Sequence, residues 1–139
     1  MFDVILIGHG KLAVEMKNSA EMIFGKLDSF IPITFELGEG VDDLKKKIEK
    51  IVEKGKSYLI FADLFCGTPY NASCAFRLQN TENNIEILSG MSLPLVLEVA
   101  SMRETYPLHE AISVIMENSQ QVVKRFAEFE DEEDDFDED

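Results

Sequence analysis

Hydrophobic residues along this chain form short continuous runs, separated by segments in which they recur every three or four positions. The continuous runs predict buried β-strands, and they lie at residues 2–7, 31–35, 58–62 and 85–88. The second run is the weakest of the four, because Pro32 cannot donate a ladder hydrogen bond. Such a residue suits only the start of a strand or an edge strand.

The segments between the runs have the spacing of amphipathic helices. Five helices are predicted, marked by Leu12 to Ile23, Val41 to Val52, Ala72 to Leu78, Leu93 to Met102, and Leu108 to about Phe126. Among the apolar positions that mark these helices are Leu12 and Ile23 in the first, Leu78 in the third, and Val122 and Val123 on the apolar side of the fifth. Met91, Met102 and Met116 are expected to fill the core. By contrast, Lys45 to Lys47 are expected on the solvated face of the second helix.

Strands that alternate with helices in this way predict a mainly parallel sheet with helices on both faces. The expected fold class is therefore an open, doubly wound α/β fold with strand order 2-1-3-4. In this order the first and third strands are neighbours. A functional site is expected at their carboxyl ends, where open α/β sheets bind ligands.

The formal net charge of −14 belongs mostly to one end of the chain. Ten of the last twelve residues, Glu128 to Asp139, are acidic and none is basic, whereas the remaining 17 acidic and 13 basic residues give the body a charge of −4. The expected organisation is one domain over 1–127 and a disordered acidic tail over 128–139. The acidity argues against nucleic acid as a partner, since a phosphate backbone is bound by a basic surface.

The composition also bounds the setting in which the protein works. No stretch approaches the ~20 consecutive apolar residues of a membrane span, and the N-terminus lacks the features of a secretory signal. No direct membrane insertion is expected, and the cytoplasm is the expected location. Cys66 and Cys74 match no common zinc or redox spacing, so neither a metal site nor a disulfide is predicted.

A single histidine carries the candidate chemistry. His9 lies between Gly8 and Gly10 directly after the first predicted strand, and Asp63 follows the third. Because those two strands are expected to be neighbours, His9 and Asp63 should meet at one edge of the sheet. An aspartate that accepts from the Nδ1–H of imidazole fixes the tautomer and leaves the Nε2 lone pair free to attack an electrophile. His9 and Asp63 are therefore the predicted catalytic residues.

The residues around this pair suit a phosphoryl group. Gly10 leads into the first helix, and Gly67 and Thr68 precede the third, so backbone N–H groups, a hydroxyl and two positive helix ends are expected to receive an anion. Lys11 adds a positive charge. A phosphoryl group on an imidazole nitrogen keeps a high transfer potential, which suits relay rather than hydrolysis. The chain has neither the P-loop pattern nor the dinucleotide-binding glycine pattern, and no cofactor is predicted.

Three segments, in the same order, resemble the IIA component of the mannose-type phosphoenolpyruvate-dependent sugar phosphotransferase system. They are the strand that ends at Gly8-His9-Gly10, the segment from Asp63 to Ala72, and the segment from Ser89 to Leu95. The resemblance covers about residues 2–125. It implies that His9 takes a phosphoryl group from the phosphocarrier protein HPr and passes it to a IIB component for sugar uptake. It also implies that Asp63 orients the imidazole and that Thr68 lies beside it.

The same resemblance implies a cytoplasmic homodimer, whose parallel sheet is completed by a C-terminal strand that can be exchanged between subunits. Two residues depart from the family pattern. Cys66 stands where glycine is usual, so its loop is expected to be less free to adopt positive φ. Lys11 replaces a residue that is often apolar or aromatic.

Two other functions remain open on the sequence. The same phosphohistidine could serve a dihydroxyacetone kinase system, or the chain could be a non-enzymatic α/β module that binds a small anion at the switch point. Simpler structural roles also compete for single residues. Asp63 and Thr68 could each cap a helix, and His109 is expected to be a surface residue.

Overall fold

A computed structural model of the protein describes residues 1–127. Strands and helices follow one another in the predicted order. The strands are β1 (Asp3–His9), β2 (Phe30–Phe35), β3 (Ser57–Ala62) and β4 (Asn84–Leu88). The helices are α1 (Leu12–Phe24), α2 (Val41–Ile51), α3 (Thr68–Gln79), α4 (Leu93–Met102) and α5 (Leu108–Asn118), followed by a 3-10 turn at Ser119–Gln121.

The four strands form one parallel sheet in the order β2-β1-β3-β4, which confirms the predicted order. β1 is an interior strand, since Ile5 is paired with Ile31 of β2 on one side and with Ile60 of β3 on the other. β2 is an edge strand, which explains why it accommodates Pro32. β4 forms the opposite edge.

The sheet is buried on both faces, because its alternating side chains pack under two separate groups of helices. Val4 and Leu6 of β1 belong to the core beneath α1, α4 and α5, whereas Ile5 and Ile7 belong to the core beneath α2 and α3. All four side chains are fully buried. Burial of each side chain stabilises the folded state by roughly 1.5–3 kcal/mol, which fixes the face that each strand residue occupies. The residues at the strand ends continue the same alternation.

The fifth helix is shorter than predicted. It ends at Asn118, and after the 3-10 turn the chain continues through Val122 and Val123 without helix. The prediction that both valines lie on the apolar side of this helix is therefore wrong, although Val122 still packs against the core. Asparagine, serine and paired valines are poor helix formers, and the Ser119 hydroxyl donates to the Met116 carbonyl.

Several apolar helix positions are exposed instead of buried. Leu12, Ile23 and Leu78, which mark the helical pattern, are exposed. Met116 is exposed too, so its predicted place in the core is wrong, whereas Met91 and Met102 lie in the core as expected. α1 contacts the core through the small residues Ala13 and Ala20, so its larger apolar side chains fall on other faces. Helical spacing alone did not distinguish the two faces, because both carry apolar residues.

Within residues 1–127, no helix is both long and apolar enough to cross a membrane. The predicted acidic tail, 128–139, lies outside the described residues.

Candidate functional site

His9 and Asp63 are brought together at the carboxyl edge of the sheet. His9 is the last residue of β1, and Asp63 comes directly after the neighbouring strand β3. The imidazole Nδ1 lies 2.9 Å from the Asp63 Oδ2 atom. The predicted proximity of the two side chains is confirmed, and the contact comes from the strand order, because parallel neighbours end at the same edge.

The carboxylate is also tied to the backbone of β1. Its Oδ2 atom accepts a second hydrogen bond, from the backbone N–H of His9 at 3.0 Å, while the Asp63 N–H donates to the Ile7 carbonyl at 3.1 Å. The Asp63 side chain is only 9% exposed, whereas that of His9 is 50% exposed. The result is a sheltered, fixed acceptor beneath a solvent-facing imidazole. An acceptor placed in this way favours the tautomer with its proton on Nδ1, in which Nε2 carries the free lone pair.

Gly8 makes room for this carboxylate, a role that the sequence did not suggest. A Cβ atom on Gly8 would lie 3.2 Å from both Cγ and Oδ2 of Asp63. That distance is tighter than an ordinary van der Waals contact. The available signal was a glycine within a buried strand, which often marks the close approach of another group.

Phe35 is a second contact that sequence reasoning missed. The register of β1 and β2 places it opposite His9, and its ring meets the imidazole edge-on, with centroids 5.3 Å apart and planes at 74°. Such an edge-to-face contact is favourable for an aromatic pair. Phe35 on one side and Asp63 on the other therefore restrict the rotation of the ring.

The predicted phosphate contacts at two glycines need correction. The Gly10 N–H donates to the Phe35 carbonyl at 2.8 Å, and the Gly67 N–H donates to the Leu64 carbonyl at 3.1 Å. These two amides are occupied and cannot serve as anion donors in this conformation. Gly10 is instead needed for its left-handed backbone, with φ of +57°, which turns the chain from β1 into α1.

The phosphate contacts of Lys11 and Thr68 stay predictions, and both residues lie at the starts of helices. Lys11 is exposed at the N-terminus of α1, and Thr68 is the first residue of α3, beside Gly67, which lies close to the Cε1 atom of His9. The prediction that Thr68 or Asp63 caps a helix is wrong for α3, because the residue before its first turn is Gly67. The first N–H groups of a helix have no partner within it, so both helix ends offer positive poles near the imidazole.

The loop between β3 and α3 adopts a conformation that its cysteine was expected to resist. Cys66 has φ of +66°, and within residues 1–127 it is the one residue other than glycine with positive φ. The loop therefore takes positive φ at Cys66 in spite of the cost that a side chain carries there. The Asn71 side-chain amide donates to the Cys66 carbonyl at 3.2 Å and helps to hold the turn. The strained residue lies in the loop that approaches the imidazole.

Exposed apolar side chains surround the imidazole. His9 opens into a depression of about 580 Å³ that is also lined by Lys11, Phe35 and the loop 36–39. Leu37 stands at its rim fully exposed, and Leu64 and Phe65 are exposed on the other side of the histidine, in the loop after β3. Hydrophobic side chains that flank a polar centre in this way are typical of a protein-docking surface.

The loop that carries Leu37 is rigidly held. The Glu39 carboxylate accepts from the Glu36 backbone N–H at 2.8 Å and from the Lys47 ammonium at 2.9 Å, and Lys47 also donates to the Thr34 carbonyl at 2.8 Å. The backbone hydrogen bond from Glu36, followed by the contact with Lys47, lowers the pKa of Glu39 from its usual value. Lys47 is therefore part of the loop's support and not simply a solvated lysine as predicted.

Other titratable groups of the described residues do not join the site. His109 is exposed and lies 3.9 Å from Glu86, in keeping with the surface role expected for it. Among residues 1–127 no group of three histidine, cysteine or acidic side chains is arranged to hold a metal ion. Chemically, the site is one oriented imidazole with an open Nε2, two helix N-termini and an apolar rim.

Comparison with known proteins gives a consistent result. Residues 3–116 match the family described as "PTS system fructose IIA component". The chain is 40% identical over 116 residues to the sorbose-specific EIIA component of the phosphotransferase system from Lacticaseibacillus casei, covering 82% of this chain and 83% of that one. It is 35% identical over 124 residues to the fructose-specific EIIA component from Bacillus subtilis (strain 168), covering 87% and 84%.

A solved structure is similar as well. The fold superposes with a TM-score of 0.84 on the phosphotransferase system component EIIA from Streptococcus agalactiae, at 25% identity, over 90% of this chain and 97% of that one.

Proposed function

The chain belongs to the mannose-type family of EIIA components of the sugar phosphotransferase system, and we propose that it is a phosphoryl carrier that uses His9. It accepts a phosphoryl group from HPr on the Nε2 atom of His9 and passes it to a IIB component. The observation that carries this proposal is the 2.9 Å contact between Nδ1 of His9 and Oδ2 of Asp63, which leaves Nε2 as the nucleophile.

The proposed step balances without any further reactant. The Nε2 lone pair attacks the phosphorus of a phosphohistidine on the donor. A new N–P bond forms as the donor's N–P bond breaks, and the donor imidazole leaves with the electron pair. The His9 ring becomes positively charged as the bond forms, and the adjacent Asp63 carboxylate stabilises that charge. The reverse sequence with a IIB histidine empties the site.

The surroundings favour a protein as donor and acceptor rather than a small molecule. Leu37, Leu64 and Phe65 flank the half-exposed imidazole, and their contact with a partner would exclude water from the N–P bond during transfer. Lys11 and Thr68, together with the N-termini of α1 and α3, are proposed to neutralise the phosphoryl oxygens. The proposed setting is the cytoplasm, as the family resemblance implies.

The proposed assembly is a homodimer in which residues 122–127 leave one subunit and add to the sheet of the other. β4 is an edge strand, and among the described residues no other strand pairs with its outer side. Beyond the 3-10 turn, Val123 and Phe126 are exposed, which leaves apolar side chains without cover. The proposed domain spans 1–127, with the acidic residues 128–139 outside it.

Phosphorylation by purified components tests the proposal. Incubation with phosphoenolpyruvate, enzyme I and HPr is expected to add one acid-labile phosphoryl group to the protein and none to His9→Ala. His109→Ala, which removes the other histidine, is the matched control and should be labelled fully. Full labelling of His9→Ala would overturn the proposal. Transfer onward to a IIB protein, and not to the nucleotide-bearing subunit of a dihydroxyacetone kinase, would identify the acceptor class.

A further inference from the structure

Two buried polar atoms stand out near the candidate site. Within residues 1–127, Oδ1 of Asp63 and Oγ of Ser92 are the side-chain oxygen or nitrogen atoms that are buried and have no hydrogen-bond partner. A buried carboxylate oxygen without a donor is costly, and so is a buried hydroxyl without an acceptor. One atom is an acceptor on a charged group, and the other can donate a proton. They are complementary.

The topology brings the two residues to the same place. The Met91 N–H donates to the Ala62 carbonyl at 3.1 Å, so Ser92 and Asp63 each follow one member of a hydrogen-bonded pair. Leu59 and Phe61 of β3 belong to the core beneath α1, α4 and α5. Side chains alternate between the two faces along a strand, so Asp63, two residues after Phe61, is directed to the same face. The position of Gly8 supports this placement. Gly8 follows Val4 and Leu6 on the same face, and a Cβ atom added to it would lie close to the Asp63 side chain.

Ser92 lies at the start of α4 on this face, and its hydroxyl makes no hydrogen bond within residues 1–127. It is the residue before the first turn of α4, a position in which serine normally accepts a hydrogen bond from the helix. No such capping bond is made, and one of the first two helical residues is Pro94, which has no N–H to donate. The hydroxyl proton is therefore available to an acceptor beside the helix end, and Asp63 follows Ala62, the residue to which Met91 donates.

We propose that Ser92 is a positioning residue whose hydroxyl donates to Oδ1 of Asp63, across at most one water molecule. With Oδ2 bound to His9, this donor holds the other oxygen and locks the carboxylate in the plane that orients the imidazole. Ser92 touches neither the phosphoryl group nor the partner proteins. It acts on the nucleophile through Asp63, as the outer partner in a Ser–Asp–His chain.

The inference rests on the proposed function only for its effect on transfer, so its first test is made on the unphosphorylated protein. Nitrogen-15 NMR of the His9 ring reports the balance of the two tautomers. The wild-type protein and Ser92→Thr, which keeps the hydroxyl, should show the proton on Nδ1. Ser92→Ala should shift the ring toward the mixture of tautomers that is expected for Asp63→Ala. An unchanged His9 spectrum in Ser92→Ala would overturn the inference, whatever the outcome of the phosphorylation assay.

The second test is a double-mutant cycle on the rate of phosphorylation by phospho-HPr. Ser92→Ala is expected to slow transfer about tenfold, a typical loss for an outer partner of an active histidine. It should have no further effect in the Asp63→Ala background, because the two residues act in series. Ser101→Ala, which removes another hydroxyl of α4 that bonds only to its own helix, should leave the rate unchanged. Additive losses from Ser92→Ala and Asp63→Ala would contradict the chain.

Discussion

At the scale of single residues, the site depends on how one carboxylate is placed. Oδ2 of Asp63 accepts from both the ring and the backbone N–H of His9, so the imidazole is held relative to the strand that carries it. Phe35 closes the other side of the ring. A nucleophile fixed in this way loses little entropy on reaching the transition state, and orientation of this kind accounts for a large share of catalytic rate.

Gly8→Ala tests this placement with one methyl group. The added Cβ would meet Asp63 at 3.2 Å and push the carboxylate away from the ring, since the backbone at this strand position accepts alanine. Phosphorylation by phospho-HPr is expected to slow by about 10- to 100-fold, the range found for displacements of this size, while the circular dichroism spectrum stays that of the wild type.

Gly40→Ala is the matched control for Gly8→Ala. A Cβ at Gly40 meets nothing within 4 Å, and the residue has an extended backbone. Its transfer rate should equal that of the wild type. If Gly8→Ala also transfers at the wild-type rate, the close approach of the carboxylate is not required for function.

The sequence predicted that the side chains of His9 and Asp63 would meet, and it missed the residues around them. His9 and Asp63 were found because each follows a recognisable apolar run, and strand order does the rest. Phe35 reaches His9 through the register of β1 and β2, and Ser92 is recognised by a buried hydroxyl without a partner. Neither feature exists before the chain folds. The amides of Gly10 and Gly67 were expected to face an anion but donate to carbonyl groups. Local glycine patterns do not reveal that competition.

At the scale of elements, the loops that follow the strands shape the site. The strands end where their apolar runs end, which is why their bounds were predicted to within one or two residues. The end of α5 and the exposed faces of α1 and α3 were not predicted. Helical periodicity indicates an apolar stripe along a helix, but it does not show which other element packs against that stripe. Leu12 and Leu78 show this, since both continue a helical pattern and both are exposed.

Cys66→Gly is predicted to stabilise the protein. Cys66 has φ of +66°, a conformation that costs an ordinary L-residue roughly 1–2 kcal/mol and costs glycine little. The free energy of unfolding in urea should rise by about 1 kcal/mol, reduced somewhat by the greater freedom of glycine in the unfolded chain. Cys66→Ala removes the thiol but keeps the strain, and it should show no such gain. Equal stability of the two variants would contradict this explanation of the loop.

Leu37→Ser tests the apolar rim as a docking surface. Leu37 is fully exposed on a loop held by Glu39 and Lys47, so the substitution should not affect folding. We expect KM for phospho-HPr to rise roughly tenfold, with kcat nearly unchanged, because anchor residues of an interface contribute about 1–2 kcal/mol each.

Met22→Ser serves as the control for the rim. Met22 is equally apolar and exposed, but it lies near the end of α1, at the opposite edge of the sheet from His9. It should leave KM unchanged. An unaltered KM in Leu37→Ser, or an equal rise in both variants, would argue against a docking role for this rim.

At the scale of the whole molecule, two features of the described residues lack a packing partner: the outer edge of the sheet at β4 and the apolar side chains after the 3-10 turn. The outer edge of β4 and the exposed residues Val123 and Phe126 are complementary, since an unpaired strand edge is a template for another strand. If the proposed exchange occurs, the full chain and a chain that ends after residue 127 should both form dimers in sedimentation equilibrium. A chain that ends after residue 121 should be a monomer. Dimers of the shorter chain would place the interface elsewhere.

The proposed role of Asp63 is to hold Nδ1 of His9 and to leave Nε2 to carry the phosphoryl group. Heteronuclear NMR of the phosphorylated protein, with nitrogen-15 in the histidine ring and phosphorus-31 in the phosphoryl group, identifies the bonded nitrogen directly. We expect coupling between phosphorus and Nε2 of His9, with a proton retained on Nδ1. A phosphoryl group found on Nδ1, or on any residue other than His9, would contradict it.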